Sequence, residues 1–178
     1  VRRKTISKVA CLAIFFGLGV MGPTRRALAA DDITVEFMAS QPSWEDSSAT
    51  GHAFICVGLK LRAGIKEECF GFYPRSGGKG AVYGPGCVDS ELNGKCGDHP
   101  ITRFSNVVAS VKKTITDEQR RAIYAVGKDW SARQFVLGWN DCVAFSNAVA
   151  QAAGLTIPRL TSATPPAIYV AKLKQLNP

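Results

Sequence analysis

The sequence predicts an α+β domain in which an antiparallel sheet packs against helices, and three observations carry that expectation. HAFICVGLK at 52–60 and KEECFGFYP at 66–74 are apolar, aromatic and β-branched runs joined by LRAGI, whose Gly64 suits a turn. Further along, Thr116 and Gln119 in TDEQ have the spacing of a capping box for a helix through RRAIYAVGKDWSA. A second helix follows Cys142. There Val143, Ala144, Phe145, Ala148, Val149, Ala152 and Ala153 recur at spacings of three and four, and Gly154 suits its C-terminal end.

The first thirty residues read as a targeting segment. Arg2, Arg3, Lys4 and Lys8 form a cationic start, VACLAIFFGLGVMG is an apolar run, and ALAA supplies small residues before Asp31. The run is shorter than the roughly 20 apolar residues that span a bilayer, and no second run of the kind follows. Residues 1–30 are therefore expected to be a signal peptide cleaved near Ala29 and Ala30, with 31–178 as a single exported domain. No membrane span is expected in the mature chain. Val1 in place of methionine fits a bacterial alternative start codon, which would make the destination the periplasm or the medium.

Export changes the meaning of the charge. The formal net charge is +8, and six cations (Arg2, Arg3, Lys4, Lys8, Arg25 and Arg26) with no acid among them lie in the leader, leaving +2 on the remainder. What is left has no basic stripe interleaved with aromatics of the sort that tracks phosphates, so nucleic acid is not an expected partner. The remaining ~148 residues are enough for one compact domain with its own core. The sequence carries no pattern that sets an oligomeric state.

The other elements follow in chain order. ITVEFMA at 33–39 reads as a strand, and QPSWEDSSATG as a loop ahead of His52. Trp44 in that loop either lines a groove or packs in the ordinary way. RSGGKGAVYGPGC at 75–87 is glycine-rich but lacks the GxxxxGK[ST] pattern of a phosphate-binding loop, and reads as a flexible connection able to act as a lid. RFSNVVASVKKTI suggests another strand. Pro165 and Pro166 precede a C-terminal helix, AIYVAKLKQL, with Ile168, Val170, Leu173 and Leu176 expected to face the domain.

Without Cys11 in the leader, five cysteines remain: Cys56, Cys69, Cys87, Cys96 and Cys142. An odd number in an oxidising compartment leaves at least one thiol unpaired. A turn centred near Arg62 and Ala63 opposes residues whose numbers sum to about 125, which sets Cys56 opposite Cys69 and His52 opposite Tyr73. Directly opposed side chains stand near the spacing a disulfide needs. Cys87 and Cys96 flank the polar loop VDSELNGK, which a bridge would close with a gain of about 2–3 kcal/mol. Cys142 is then left over, although a connectivity that pairs it and frees another thiol stays open.

Cys142 itself has two readings. Asn140 or Asp141 can cap the helix behind it, so the sulfur falls in the first turn, where unpaired N–H groups favour a thiolate and can receive an oxyanion. Free cysteine is equally a common core filler. A thiol nucleophile usually needs a base, and the sequence offers two histidines, His52 opening a strand and His99 in a loop, of which His52 is the better placed. Two histidines 47 residues apart and cysteines without a CxxC give no metal-ligand spacing, and no cofactor motif is present.

NDCVAF, with an acid before the cysteine, an aromatic three residues after it and a helix beyond, resembles the nucleophile motif of NlpC-type cysteine peptidases in the papain-like superfamily. GHAF entering a strand is similar to their catalytic histidine strand. Here the histidine precedes the cysteine by 90 residues, which resembles the circularly permuted branch, similar to lecithin:retinol acyltransferase-like and related bacterial hydrolases. The resemblance implies a permuted papain-like architecture, Cys142 as nucleophile and His52 as base. It also implies a third group on the strand after the histidine, for which Tyr73 is the nearest candidate and Asp89 the next. The implied function is an exported thiol hydrolase that cleaves amide bonds, with peptidoglycan peptides as substrate. Acyl hydrolysis or transfer on lipid is a variant of that chemistry, and a non-catalytic binding or inhibitor module on the same framework is the competing expectation.

Overall fold

The computed structural model describes residues 33–42, 51–61, 64–75, 82–90, 106–161 and 163–178. Six strands and three helices occur among them: β1 (Ile33–Ser40), β2 (His52–Leu61), β3 (Gly64–Pro74), β4 (Tyr83–Ser90), β5 (Val107–Thr114), α1 (Asp117–Trp130), β6 (Gln134–Val136), α2 (Cys142–Ala152) and α3 (Pro166–Leu176). The strands form one sheet in the order β5-β1-β2-β3-β4-β6. Every neighbouring pair is antiparallel. The α+β class expected from the sequence is thus observed. None of the described helices is long and apolar enough to cross a membrane.

Side chains alternate across a strand, so each strand sorts its residues between two faces. Ile33, Val35, Phe37 and Ala39 of β1, Ala53, Ile55 and Val57 of β2, and Phe70 and Phe72 of β3 share one core with residues of all three helices. On that face α3 lies over β5 and β1, α2 over β2 and β3, and α1 against α2 and β4. His52, Phe54, Cys56 and Tyr73 alternate to the other face, where they are also buried. The centre of the sheet is therefore enclosed on both sides.

The β2–β3 pairing has the register read from the sequence, with Cys56 opposite Cys69 and Val57 opposite Glu68. Cys56 and Cys69 form a disulfide. Arg62 and Ala63, where the turn was placed, lie outside the described residues. The capping box of α1 is also as expected: Gln119 N donates to Thr116 Oγ1 at 3.1 Å, and Thr116 N donates to Gln119 Oε1 at 2.8 Å. The remaining amide of Gln119 donates to the Ala153 carbonyl at 2.8 Å, tying the start of α1 to the end of α2.

Two expectations change. The segment 75–87, read as a flexible connection, contributes most of β4, which lies between β3 and β6. Gly86 marks a close approach, and residues 76–81 of that segment lie outside the described residues. A Cβ on Gly86 would stand 2.2 Å from the Phe72 ring and 2.6 Å from the Arg133 carbonyl, and glycine inside a strand often signals such an approach. In α3, Ile168 and Leu176 are 49% and 45% exposed, while Tyr169, Val170 and Leu173 are buried. Helix entry at Pro166 rotates the inward stripe onto Pro166, Tyr169, Val170 and Leu173, which follow the i, i+3, i+4, i+7 pattern.

Phe72 anchors the core beneath the helices. Its ring lies 5.1 Å from Trp130, 5.7 Å from Phe135 and 6.1 Å from Phe145, measured between centroids. Burial of such a side chain stabilises by about 1.5–3 kcal/mol, and each favourable aromatic pair adds about 0.5–1.5 kcal/mol. Gly86→Ala is expected to destabilise the domain by about 1–3 kcal/mol through overpacking against Phe72, read as a lower urea midpoint. The Tyr169 hydroxyl is buried without a partner among the described residues, and burial pushes its ionisation upward. Tyr169→Phe removes an unsatisfied group, so its urea midpoint is expected to equal or exceed that of the parent.

Candidate functional site

The site is assembled at the start of α2. Asp141 is the N-cap, and its carboxylate is buried beneath three backbone donors. Val143 N and Ala144 N each donate to Oδ1 at 3.0 Å, and Gly138 N donates to Oδ2 at 2.8 Å. Gly138 holds φ at +80°, a left-handed conformation that glycine adopts without strain. One carboxylate thereby fixes both the helix start and the turn leading into it, and Cys142 inherits its position from that bond set.

Cys142 is the first residue of α2 and the free cysteine among the described residues, 7% exposed and part of the main core. The N–H groups of Ala53, Cys142 and Val143 lie against its sulfur and favour the thiolate. Burial outweighs them and, with the negative charge of Asp141, pushes the thiol up to about 12. The sequence expectation of a thiolate favoured by the helix start is therefore half met. The donors are there, but desolvation disfavours the anion more strongly than they support it.

His52 opens β2 directly beside this point, because the Ala53 N–H that lies against the sulfur belongs to the next residue. Gly51 sets the entry: its φ is +79°, and a Cβ there would meet the Ser40 carbonyl at 2.5 Å. β2 pairs with β3 from Ile55–Phe70 to Leu61–Gly64, and the Ala53 N–H that meets the sulfur lies two residues before the first of these pairs. By alternation the imidazole lies on the face away from α2. The thiol and the imidazole are thus both set at the His52–Ala53 peptide, the first by its N–H and the second by the preceding Cα.

Tyr73 stacks on His52 with ring centroids 4.1 Å apart and planes inclined by 22°. Gly71 makes room for both, since a Cβ there would stand 2.7 Å from His52 Nε2 and 3.3 Å from the Tyr73 hydroxyl. Asp89 pairs with Gly71 across β3 and β4, which places it on the same face one strand further from His52. The structure therefore brings together His52 and Tyr73, and sets Cys142 against the residue next to His52. The steric role of Gly71 escaped the sequence reading, although an isolated glycine in a strand pattern is the signal for such a contact.

Of the other candidates, Cys87 is disulfide-bonded, while Cys96, assigned to it from the sequence, lies outside the described residues, as do His99 and Trp44. Glu67 lies with Cys56 and Cys69 in a cluster whose ligand atoms are within 4.8 Å of one another. Both sulfurs are consumed in the disulfide, so the cluster offers no thiolate to a metal. On the outer side of α2, a pocket of about 320 Å³ is bounded by Trp139, Asp141, Val143, Ala144, Thr161 and Thr164, among others. The chain matches no protein-family model, and no curated protein and no solved structure is significantly similar to it.

The raised ionisation of Cys142 has a definite pH signature. The folded state holds its thiol proton more tightly than the unfolded chain does, whose ordinary value is 9.0. The resulting stabilisation is complete below about pH 9 and is lost as pH rises from there towards 12, with a slope of at most about 1.4 kcal/mol per pH unit. The urea midpoint of the parent is expected to fall more steeply above pH 9 than that of Cys142→Ala. Iodoacetamide labelling of native Cys142 is expected to show no inflection near pH 8.5.

Proposed function

We propose that the protein is an exported thiol hydrolase that cleaves amide bonds, with peptidoglycan peptides as its substrate class, on a permuted papain-like framework. The observation that carries this reading is the free thiol of Cys142 at a helix start, against the peptide N–H that follows His52. A nucleophile at the first turn of a helix, with a histidine opening the neighbouring strand, supports acyl transfer over a purely structural cysteine.

In this mechanism Cys142 Sγ attacks the carbonyl carbon of the scissile amide. Because the thiol is neutral at rest, His52 removes its proton as the C–S bond forms, and does not hold a ready ion pair. The oxyanion takes the Cys142 N–H, since Val143 N and Ala144 N are engaged by Asp141. His52 then delivers the proton to the leaving amine, and water activated by the same imidazole cleaves the thioester. For this step the imidazole has to come within hydrogen-bond reach of the sulfur at the start of β2, from the ring position that stacking on Tyr73 sets.

A second reading, a non-catalytic binding module, is favoured by one observation: the thiol is nearly sequestered and its ionisation is pushed upward. Incubation of the oxidised protein with peptidoglycan stem peptides, read by mass spectrometry, separates the two. The hydrolase reading expects amine release, a trapped acyl group on Cys142, and losses of at least about 10²-fold in both Cys142→Ser and His52→Ala. Lipid esters assayed in parallel test the acyl-hydrolase variant. If no acyl group forms on Cys142 with either class, the binding-module reading stands. A Tyr73→Phe protein as active as the parent would remove the tyrosine hydroxyl from the mechanism.

A further inference from the structure

The corner where β4 meets β6 exposes apolar side chains that have no place in the core. Val82 is 55% exposed, Tyr83 69%, Leu137 45% and Trp139 82%. Backbone pairing holds them as one unit: Leu137 N donates to the Val82 carbonyl at 2.9 Å, Tyr83 pairs with Val136, and Trp139 N donates to the Val136 carbonyl at 3.0 Å. Val82 precedes β4 and Tyr83 opens it, so the exposed groups come from the start of β4 and from the turn after β6 together.

The charge around the corner is one-sided. No Asp or Glu occurs in 82–86 or 134–140, and the nearest acid along the chain, Asp141, is buried with its oxygens held by backbone donors. Arg75, exposed and bonded through Nε to the Gly86 carbonyl, stands at the root of β4. Arg133 immediately precedes β6, and Arg159 is exposed next to Leu160, which shares a pocket wall with Trp139. Arg133 is engaged by Asp129, so Arg75 and Arg159 carry most of the available positive charge. Tryptophan and tyrosine with flanking arginines match the polarity gradient of a bilayer surface, and exposed cations add attraction to anionic headgroups.

We infer that the β4–β6 corner is a membrane-docking element that inserts Tyr83, Leu137 and Trp139 into the interfacial layer of an anionic lipid surface. The inference is independent of the hydrolase reading, since it uses neither Cys142 nor His52. The corner borders the pocket beside α2 through Trp139, so docking would set that pocket at the lipid surface.

The test is co-sedimentation of the oxidised protein with vesicles of phosphatidylglycerol and phosphatidylcholine in equal parts, and with phosphatidylcholine alone. Binding is expected with the anionic vesicles, weakening with added salt. Trp139→Ser and Leu137→Ser are each expected to lower it about tenfold or more. Ile168→Ser, an exposed apolar site on α3, should leave it unchanged. Tryptophan emission should shift to shorter wavelength on binding, and Trp139→Phe should abolish that shift. Circular dichroism of each variant checks that the fold is retained. No vesicle binding, or binding indifferent to Trp139→Ser and Leu137→Ser, would overturn the inference. So would concentration-dependent dimerisation that Leu137→Ser abolishes in a chain that ignores vesicles, because the corner would then be covered by a second copy.

Discussion

Phe72 is the contact on which the arrangement of the domain depends. It leaves the sheet from β3 and meets Trp130 of α1, Phe135 of β6 and Phe145 of α2, while Trp130 and Phe145 meet each other at 5.4 Å. The consecutive elements α1, β6 and α2 are therefore referenced to one ring on β3, which is distant from them in sequence. Gly86 is the condition for that convergence, since β4 can approach only where it has no side chain. The position of Cys142 follows, because Phe145 lies one helical turn further along α2 and fixes which side of the helix faces the sheet.

Asp141 performs the complementary task at the end of the helix. Its carboxylate engages the Val143 and Ala144 N–H groups and reaches back to Gly138. Those hydrogen bonds order the approach to α2, yet they also place a negative charge beside the thiol. The N–H groups of Ala53, Cys142 and Val143 work in the opposite direction. With water excluded, burial decides the balance in favour of the neutral thiol. This differs from cysteines whose thiolate is maintained by an exposed, electropositive setting. Any chemistry at Cys142 has to begin from S–H, so the proton acceptor matters more here than helix-end electrostatics.

Much of the architecture was legible because it is local. The Cys56–Cys69 register follows from two apolar runs and a short link, and the α1 capping box from Thr116 and Gln119. The N-cap of α2 was narrowed to Asn140 or Asp141, and the structure selects Asp141. What was not legible depends on approach from elsewhere. Gly86 looks like part of a flexible link until Phe72 and Arg133 are seen against it. Similarly, Gly71 reveals its purpose only beside His52 and Tyr73. Alternation and helix periodicity are read within one segment, whereas the depth of Cys142 is set by several segments together, so its helix position was legible while its burial was one of two open readings.

The sheet itself separates two environments that meet at the beginning of β2. On the helix side, Ala53, Ile55 and Val57 join an apolar core with Cys142. On the other side, His52 and Tyr73 form a polar-tipped aromatic stack, with the Cys56–Cys69 bridge joining the same two strands further along. That bridge joins β2 to β3 at Cys56 and Cys69, and at the start of β2 His52 is held by pairing with Ser40 of β1 and by its stack on Tyr73 of β3. The strand end where thiol and imidazole meet one peptide is thereby set by contacts from β1, β3 and α2. The fold thus places α2 through the Phe72 cluster and the start of β2 through β1 and Tyr73, and the Cys142–His52 relationship follows from those two placements.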